Sequence, residues 1–224
     1  MKKFIQQLIP PLTTKAEVSK CNKDLYKITR FFLYGTVLCI LIFIGRLGYY
    51  GTLPPENFSS EIATSSYKSV AFLQYKDIFT EILEVSFDVS EYTTPLEQGF
   101  ADFVIENPKQ TYIVYGILYQ LIPHLFFLCS MFVVTKLFKT MWQKEIPFGG
   151  ECSTSVMFLA LLFWIFTYYR NCGVYYLLML VGVCNSVSHY LLDPVSTIIA
   201  TLLIGLSHQM KYASHLQEES DDTV

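Results

Sequence analysis

Charged residues are scarce in this sequence. Asp, Glu, Lys and Arg make up 16% of its 224 residues, whereas soluble domains carry about a quarter. The scarcity comes from four apolar stretches that hold almost no charge: Phe31–Tyr50, Tyr112–Thr135, Val156–Tyr190 and Val195–Met210. A helix needs roughly 20 apolar residues to cross hydrocarbon about 30 Å thick. The composition therefore excludes an ordinary soluble domain and predicts a multi-pass membrane protein.

Several patterns that carry chemistry are missing as well. The six cysteines include no CxxC pair, so a disulfide framework is not expected. The sequence contains no nucleophile beside a general base, no glycine-rich phosphate loop and no paired carboxylates in an apolar run. It also lacks a basic patch of the kind that binds nucleic acid. We therefore predict that the protein is not an enzyme, needs no cofactor or metal and does not bind nucleic acid directly.

The charges that are present are segregated along the chain. Residues 51–110 contain ten acidic residues and three lysines, and their net charge is thus −7. Basic residues concentrate before Phe31 and, as Lys136, Lys139 and Lys144, after the second apolar stretch. Because Lys and Arg accumulate on the cytoplasmic side of membrane proteins, both basic segments are predicted to be cytoplasmic. The acidic segment between them is predicted to lie outside.

Local signals mark where helices begin and bend. The residues Thr14–Glu17 form a capping box, which predicts a helix that begins there and continues into the first span. Pro123 interrupts the second span, so we expect a kink and a carbonyl, that of Tyr119, without its helical donor. Asp193 and Pro194 suit the N-cap and first position of the last helix.

The acidic segment 51–110 is too long for a simple connector. Helical spacing relates five of its apolar residues: Phe72, Tyr75, Phe79, Ile82 and Leu83. Strand-like alternation with polar residues relates three others: Val85, Phe87 and Val89. We expect a small ordered cap on the membrane.

The stretch Val156–Tyr190 allows two topologies. If Ser155–Tyr169 and Cys172–Tyr190 both cross, the chain has five spans and its tail lies outside; if they form one crossing element, it has four and the tail is inside. Lys211 and the lack of room for a loop at Arg170 favour four.

The predicted fold is an all-α membrane protein with four transmembrane helices and a small extracytoplasmic cap between the first and second. Its predicted regions are a basic cytoplasmic segment (1–30), the first transmembrane helix (31–50), the acidic extracytoplasmic segment (51–110) and the remaining bundle with a cytoplasmic tail (111–224).

Two segments carry a family resemblance. LFKTMWQKEIPF follows the second span and ends in Pro147 and Phe148, and the chain closes with ASHLQEESDDTV. Together they resemble the bacterial domain-of-unknown-function family 2975, across about the second half of the chain. The resemblance implies a small four-helix protein of the bacterial cytoplasmic membrane, with no assigned activity and often with a helix-turn-helix regulator as partner. This chain departs from the family pattern after Gly149 and Gly150, where it has an apolar run and the family usually has a polar helix.

Two groups of polar residues are candidate sites. His124, Asn185 and His189 are predicted to face the bundle interior, where an imidazole bonded across the bundle is the simplest role for His124. The second group combines residues on one face of the last helix with the acidic tail and forms a candidate cytoplasmic docking site. Its members are His208, Lys211, His215, Glu218, Glu219, Asp221 and Asp222. Its two histidines are seven residues apart, which does not suit a metal.

Two functions fit these observations. The first is a membrane-resident regulatory or sensory protein that contacts a cytoplasmic transcriptional regulator. The second is a small-molecule transporter, or an accessory subunit of one, built around His124. The sequence indicates the lipid bilayer as a partner in either case.

Membrane topology can be tested by labelling introduced cysteines with an impermeant maleimide in intact cells. Ser60→Cys should be labelled, because it lies in the acidic outside segment, and Ser220→Cys should be labelled only after lysis. The parent chain, with its own six cysteines, sets the background. A tail labelled in intact cells would replace the four-span topology with five spans.

Overall fold

The computed structural model describes residues 15–64, 69–75, 83–88, 103–144, 149–174, 177 and 194–221. Its first helix, α1 (Lys15–Thr52), is 38 residues long and begins at the predicted capping box. α2 (Pro108–Tyr115) passes through a π-helical stretch, Gly116–Leu121, into α3 (Ile122–Lys144). α4 (Gly150–Tyr168) passes into a second π-helical stretch, Tyr169–Gly173, and α5 (Pro194–Asp221) begins at the predicted proline.

Three of the described helical segments are long and apolar enough to cross a membrane: Ala16–Thr52, Pro108–Gln143 and Gly150–Tyr168. By the length and composition of these helices, the prediction of a multi-pass membrane protein is supported. α5 is the predicted fourth span, but it is not one of these three. Its apolar part ends near Met210, and polar residues occupy its remaining turns.

The fold is mainly helical, but the prediction of an all-α protein is wrong in the acidic segment. Three strands, β1 (Phe58–Thr64), β2 (Ser69–Tyr75) and β3 (Leu83–Asp88), form an antiparallel sheet in the order β1-β2-β3. Phe58 pairs with Tyr75 and Val70 with Asp88. The strand predicted around Val85 is confirmed, whereas the helical spacing that began at Phe72 was misleading. Phe79, Ile82 and Val89 lie outside the described residues.

The helix α4 continues through Arg170 without a loop. The amide of Val174 donates to the carbonyl of Tyr169, five residues earlier, so the backbone remains helical across Arg170 and Asn171. The loop that a five-span topology needs at this point is therefore not there. Residues 178–193 lie outside the described part of the chain, and the count of four spans stays a prediction.

The chain divides into two compact units. The first combines Met1–Leu38, Phe126–Ile165 and Pro194–Val224, and the second combines Cys39–Leu125 and Phe166–Asp193. In the first unit, α4 and α5 meet through two buried serines. The Ser153 hydroxyl donates to the Ser207 carbonyl at 2.8 Å, and the Ser207 hydroxyl donates to the Ser153 carbonyl at 2.9 Å. We call this reciprocal pair the serine clasp.

The second unit has an aromatic core that holds the sheet to the helix ends. Tyr50 of α1, Phe58 of β1, Tyr75 of β2 and Tyr112 of α2 are each no more than 5% exposed. Five ring pairs among them have centroids between 5.0 and 6.2 Å apart, in tilted or edge-on arrangements. Such pairs add about 0.5–1.5 kcal/mol each beyond simple burial. We call these four residues the aromatic anchor.

A lysine reinforces the aromatic anchor at the end of α1. The Lys109 ammonium donates to the carbonyls of Gly51 at 2.9 Å and Leu53 at 2.6 Å. The last carbonyls of a helix have no partner within it and carry partial negative charge, so a cation there satisfies both needs. Arg46, one turn earlier, donates to the Tyr50 hydroxyl at 2.7 Å and fixes that ring.

Replacing Phe58 tests whether the aromatic anchor holds the sheet. Phe58→Ala should cost the sheet about 3–5 kcal/mol, because it empties a buried aromatic position. Limited proteolysis of the full chain in detergent should then cut the acidic segment at least tenfold faster, while helical circular dichroism stays unchanged. Ser59→Ala is the matched control, since Ser59 is the exposed neighbour on the same strand. Equal cutting of the two variants would show that the sheet is held by something else.

Candidate functional site

The most unusual feature of the described bundle is a pair of π-helical stretches in the second unit. One precedes Pro123 and the other follows α4. A π-helical turn takes up one extra residue, is rare and is found preferentially at functional sites. The hydroxyl of Tyr169, which begins the second stretch, donates to the carbonyl of Leu118 in the first at 2.5 Å. We call this contact the π-segment bond.

The proline explains why that carbonyl needs an external donor. In the first stretch the amide of Ile122 donates to the Ile117 carbonyl, which establishes a spacing of five residues. By the same spacing the Leu118 carbonyl would accept from residue 123, and proline has no N–H. The Tyr169 hydroxyl supplies the missing hydrogen bond. The predicted loss of a donor at Tyr119 assumes α-helical spacing, whereas the five-residue spacing assigns the loss to Leu118.

A glycine brings α1 close to the first π-helical stretch. A Cβ on Gly116 would lie 2.8 Å from the Leu47 side chain and 3.6 Å from that of Phe43. The first distance is shorter than real Cβ contacts, so the leucine would have to move if any larger residue stood there. Glycine therefore permits α1 to pack directly against the backbone next to the π-segment bond.

His124 follows the proline and makes a bond within its own helix. Its Nδ1 lies 2.6 Å from the carbonyl of Gln120, and its ring stacks on Phe43 of α1 at a centroid distance of 6.4 Å and an angle of 10°. The prediction had this imidazole bonded across the bundle, with the Tyr119 carbonyl or a hydroxyl of another span as its acceptor. The side chain is exposed rather than enclosed by other helices. The other two predicted interior residues, Asn185 and His189, lie outside the described residues.

The predicted docking residues stand on a continuous helix. α5 extends to Asp221, so the prediction that it continues past Lys211 to at least His215 is confirmed. His208, Lys211, His215 and Glu219 all have exposed side chains. Glu218 and Asp221 belong to the same helix, and Asp222 lies outside the described residues. Two large side chains accompany this face, Tyr212 at 62% and Leu216 at 48% exposed.

The contact made by Tyr169 and the serine clasp were not predicted from the sequence. Each joins residues more than 50 positions apart, and no local periodicity reports such a pair. The only signal for Tyr169 was indirect: a proline within a span leaves a carbonyl that some hydroxyl or amide must satisfy. Within the described residues, no group of three or more His, Cys, Asp or Glu side chains could hold a metal ion.

Comparison with known proteins gives no match among protein-family models, curated proteins or solved structures. The resemblance to family 2975 therefore stays a prediction.

The link between Pro123 and Tyr169 can be measured with a double-mutant cycle. Tyr169→Phe should lower the free energy of unfolding by about 1–2 kcal/mol, because the Leu118 carbonyl is left without a donor. In a Pro123→Ala background the same change should cost less than half as much, since the alanine has an amide that can replace the hydroxyl. Unfolding in mixed detergent and SDS micelles gives both values. An equal cost in the two backgrounds would contradict the assignment of the orphaned carbonyl to Leu118.

Proposed function

We propose that this protein is a membrane-resident regulatory or sensory component whose C-terminal helix docks a cytoplasmic partner of the helix-turn-helix regulator type. One observation carries the proposal. α5 continues as helix for eleven residues beyond Met210, the end of its apolar part, to Asp221. Those turns expose Tyr212 and Leu216, four residues apart on one face. An exposed helical face of this kind suits recognition in a groove of another protein.

The charge on this helix indicates what the partner surface should look like. Glu218, Glu219 and Asp221 follow the apolar pair and lie near the C-terminus of α5. Carboxylates there are opposed by the negative end of the helix dipole. A basic partner surface would remove that repulsion and add complementary charge, which favours specificity and fast association. DNA-binding regulators carry such basic surfaces.

The acidic segment supplies the second half of the proposal. Its sheet is fastened by the aromatic anchor to the end of α1 and the start of α2, and Lys109 adds two hydrogen bonds at the same place. A ligand that alters the sheet would therefore act directly on the ends of two helices. We propose that this segment lies outside a bacterial cytoplasmic membrane and that both termini are cytoplasmic.

A second candidate function, a small-molecule transporter or an accessory subunit of one, is favoured by the paired π-helical stretches. Transporters use irregular helices in matching positions of their bundle, and the second stretch provides a counterpart to the irregular turn before Pro123. The two functions differ in one outcome. His124→Gln should leave partner binding unchanged in a regulator, whereas loss of a transport output in a normally folded His124→Gln protein would favour the transporter.

Co-purification in mild detergent tests the docking helix. Neutralising Glu218, Glu219, Asp221 and Asp222 to their amides should reduce the amount of the bound regulator by about tenfold, because it removes several charge-assisted contacts. The matched control neutralises two exposed carboxylates of the acidic segment, Glu56 and Glu61, and should keep the partner. Undiminished binding by the neutralised tail would move the docking site to the basic stretch Lys15–Arg30.

A further inference from the structure

A groove in the first unit lies between α3 and α4 and is not used by the proposed function. Its volume is about 370 Å³, within the range of small-ligand sites. α3 contributes Phe132, Val133 and Lys136 to its lining, and α4 contributes the positions 151, 154, 155 and 158, which share one helix face: Glu151, Thr154, Ser155 and Phe158.

The groove has a polar end and an apolar end. α3 and α4 are joined by only five residues and are therefore antiparallel neighbours. Of the lining residues, Lys136 is the nearest to the C-terminus of α3 and Glu151 is the nearest to the N-terminus of α4, so in an antiparallel pair both belong to the same end of the groove. Phe132 and Phe158 lie further from that end, and both rings stay largely uncovered by protein, at 60% and 51% exposed.

The position of the groove in the bilayer would let one lipid contact both its polar end and its apolar end. The candidate span Pro108–Gln143 has 36 residues and is therefore about 54 Å long. Hydrocarbon is only about 30 Å thick, so an element of this length extends beyond it, and the end that carries Lys136, Lys139 and Lys144 is the one that suits headgroup level. Lys136 can reach that level, while the phenylalanines remain among acyl chains.

We propose that this groove binds a zwitterionic aminophospholipid. Lys136 pairs with the phosphate, Glu151 accepts from the primary ammonium, and Phe132 and Phe158 pack on an acyl chain. The charge pattern selects this headgroup: the lysine and the glutamate together match a headgroup with one positive and one negative charge. A choline headgroup has no N–H to donate, and a glycerol headgroup leaves the glutamate facing a net anion.

Native mass spectrometry of the full chain tests the proposal. The protein is released from nanodiscs that contain equal amounts of dioleoyl phosphatidylethanolamine, phosphatidylglycerol and phosphatidylcholine, and the retained lipids are counted. Phosphatidylethanolamine should be retained about tenfold more than either competitor, the effect of one charge-assisted hydrogen bond. Equal retention of the three lipids, or a preference for phosphatidylglycerol, would overturn the proposal.

Variants locate the selectivity within the groove. Lys136→Gln should lose the bound phosphatidylethanolamine, and Lys136→Arg should keep it because the positive charge remains. Glu151→Gln should shift retention towards phosphatidylglycerol. Lys139→Gln is the matched control, an exposed lysine of the same helix that does not line the groove. If the Lys136 and Lys139 variants retain the same lipids, or if Glu151→Gln leaves the preference unchanged, the groove does not read the headgroup. Circular dichroism of each variant confirms that it is folded.

Discussion

The described structure depends on the rule that a backbone carbonyl inside hydrocarbon must find a donor within the protein. Pro123 breaks that rule locally, and the π-segment bond restores it with a hydroxyl from another helix. The hydroxyls of several serines and threonines need an acceptor for the same reason, and they donate to the carbonyl one turn earlier in their own helix. The described examples include Thr36, Ser130, Thr135 and Thr201. Their hydroxyls thereby have an acceptor within the helix, so such polar residues in the spans do not by themselves mark a function.

The parts of the fold that depend on local signals were predictable. The capping box located the start of α1, and Pro194 located the start of α5. Only part of the sheet, the strand around Val85, was predicted. The apolar residues around Phe72 fit a helical spacing, but they belong to β2, which is defined by its pairing with β1 and β3. Pairing of this kind depends on residues far apart in sequence, and a spacing rule does not report it.

The candidate site was less predictable than the fold, for a different reason. The proline correctly indicated an irregular turn and an unsatisfied carbonyl. With five-residue spacing, the carbonyl that would accept from residue 123 is that of Leu118, and its donor is the hydroxyl of Tyr169 on another helical segment. A π-helical turn changes the hydrogen-bond partners of the few residues within it, and the apolar composition that identifies a span gives no sign of that change. The exposed face of α5, in contrast, follows directly from sequence spacing, because a regular helix keeps that spacing to its end.

The serine clasp has a consequence for how α4 and α5 can move within their unit. Each serine is donor and acceptor to the other, and both are buried. A slide of one helix along the other by a fraction of a turn would break both bonds together and leave two buried hydroxyls without their acceptors, at about 1–3 kcal/mol for each. A partial slide of α5 along α4 is thus less stable than the arrangement in which both serine bonds are formed. A displacement of α5 would therefore carry α4 with it, and the two helices would move as one rigid body.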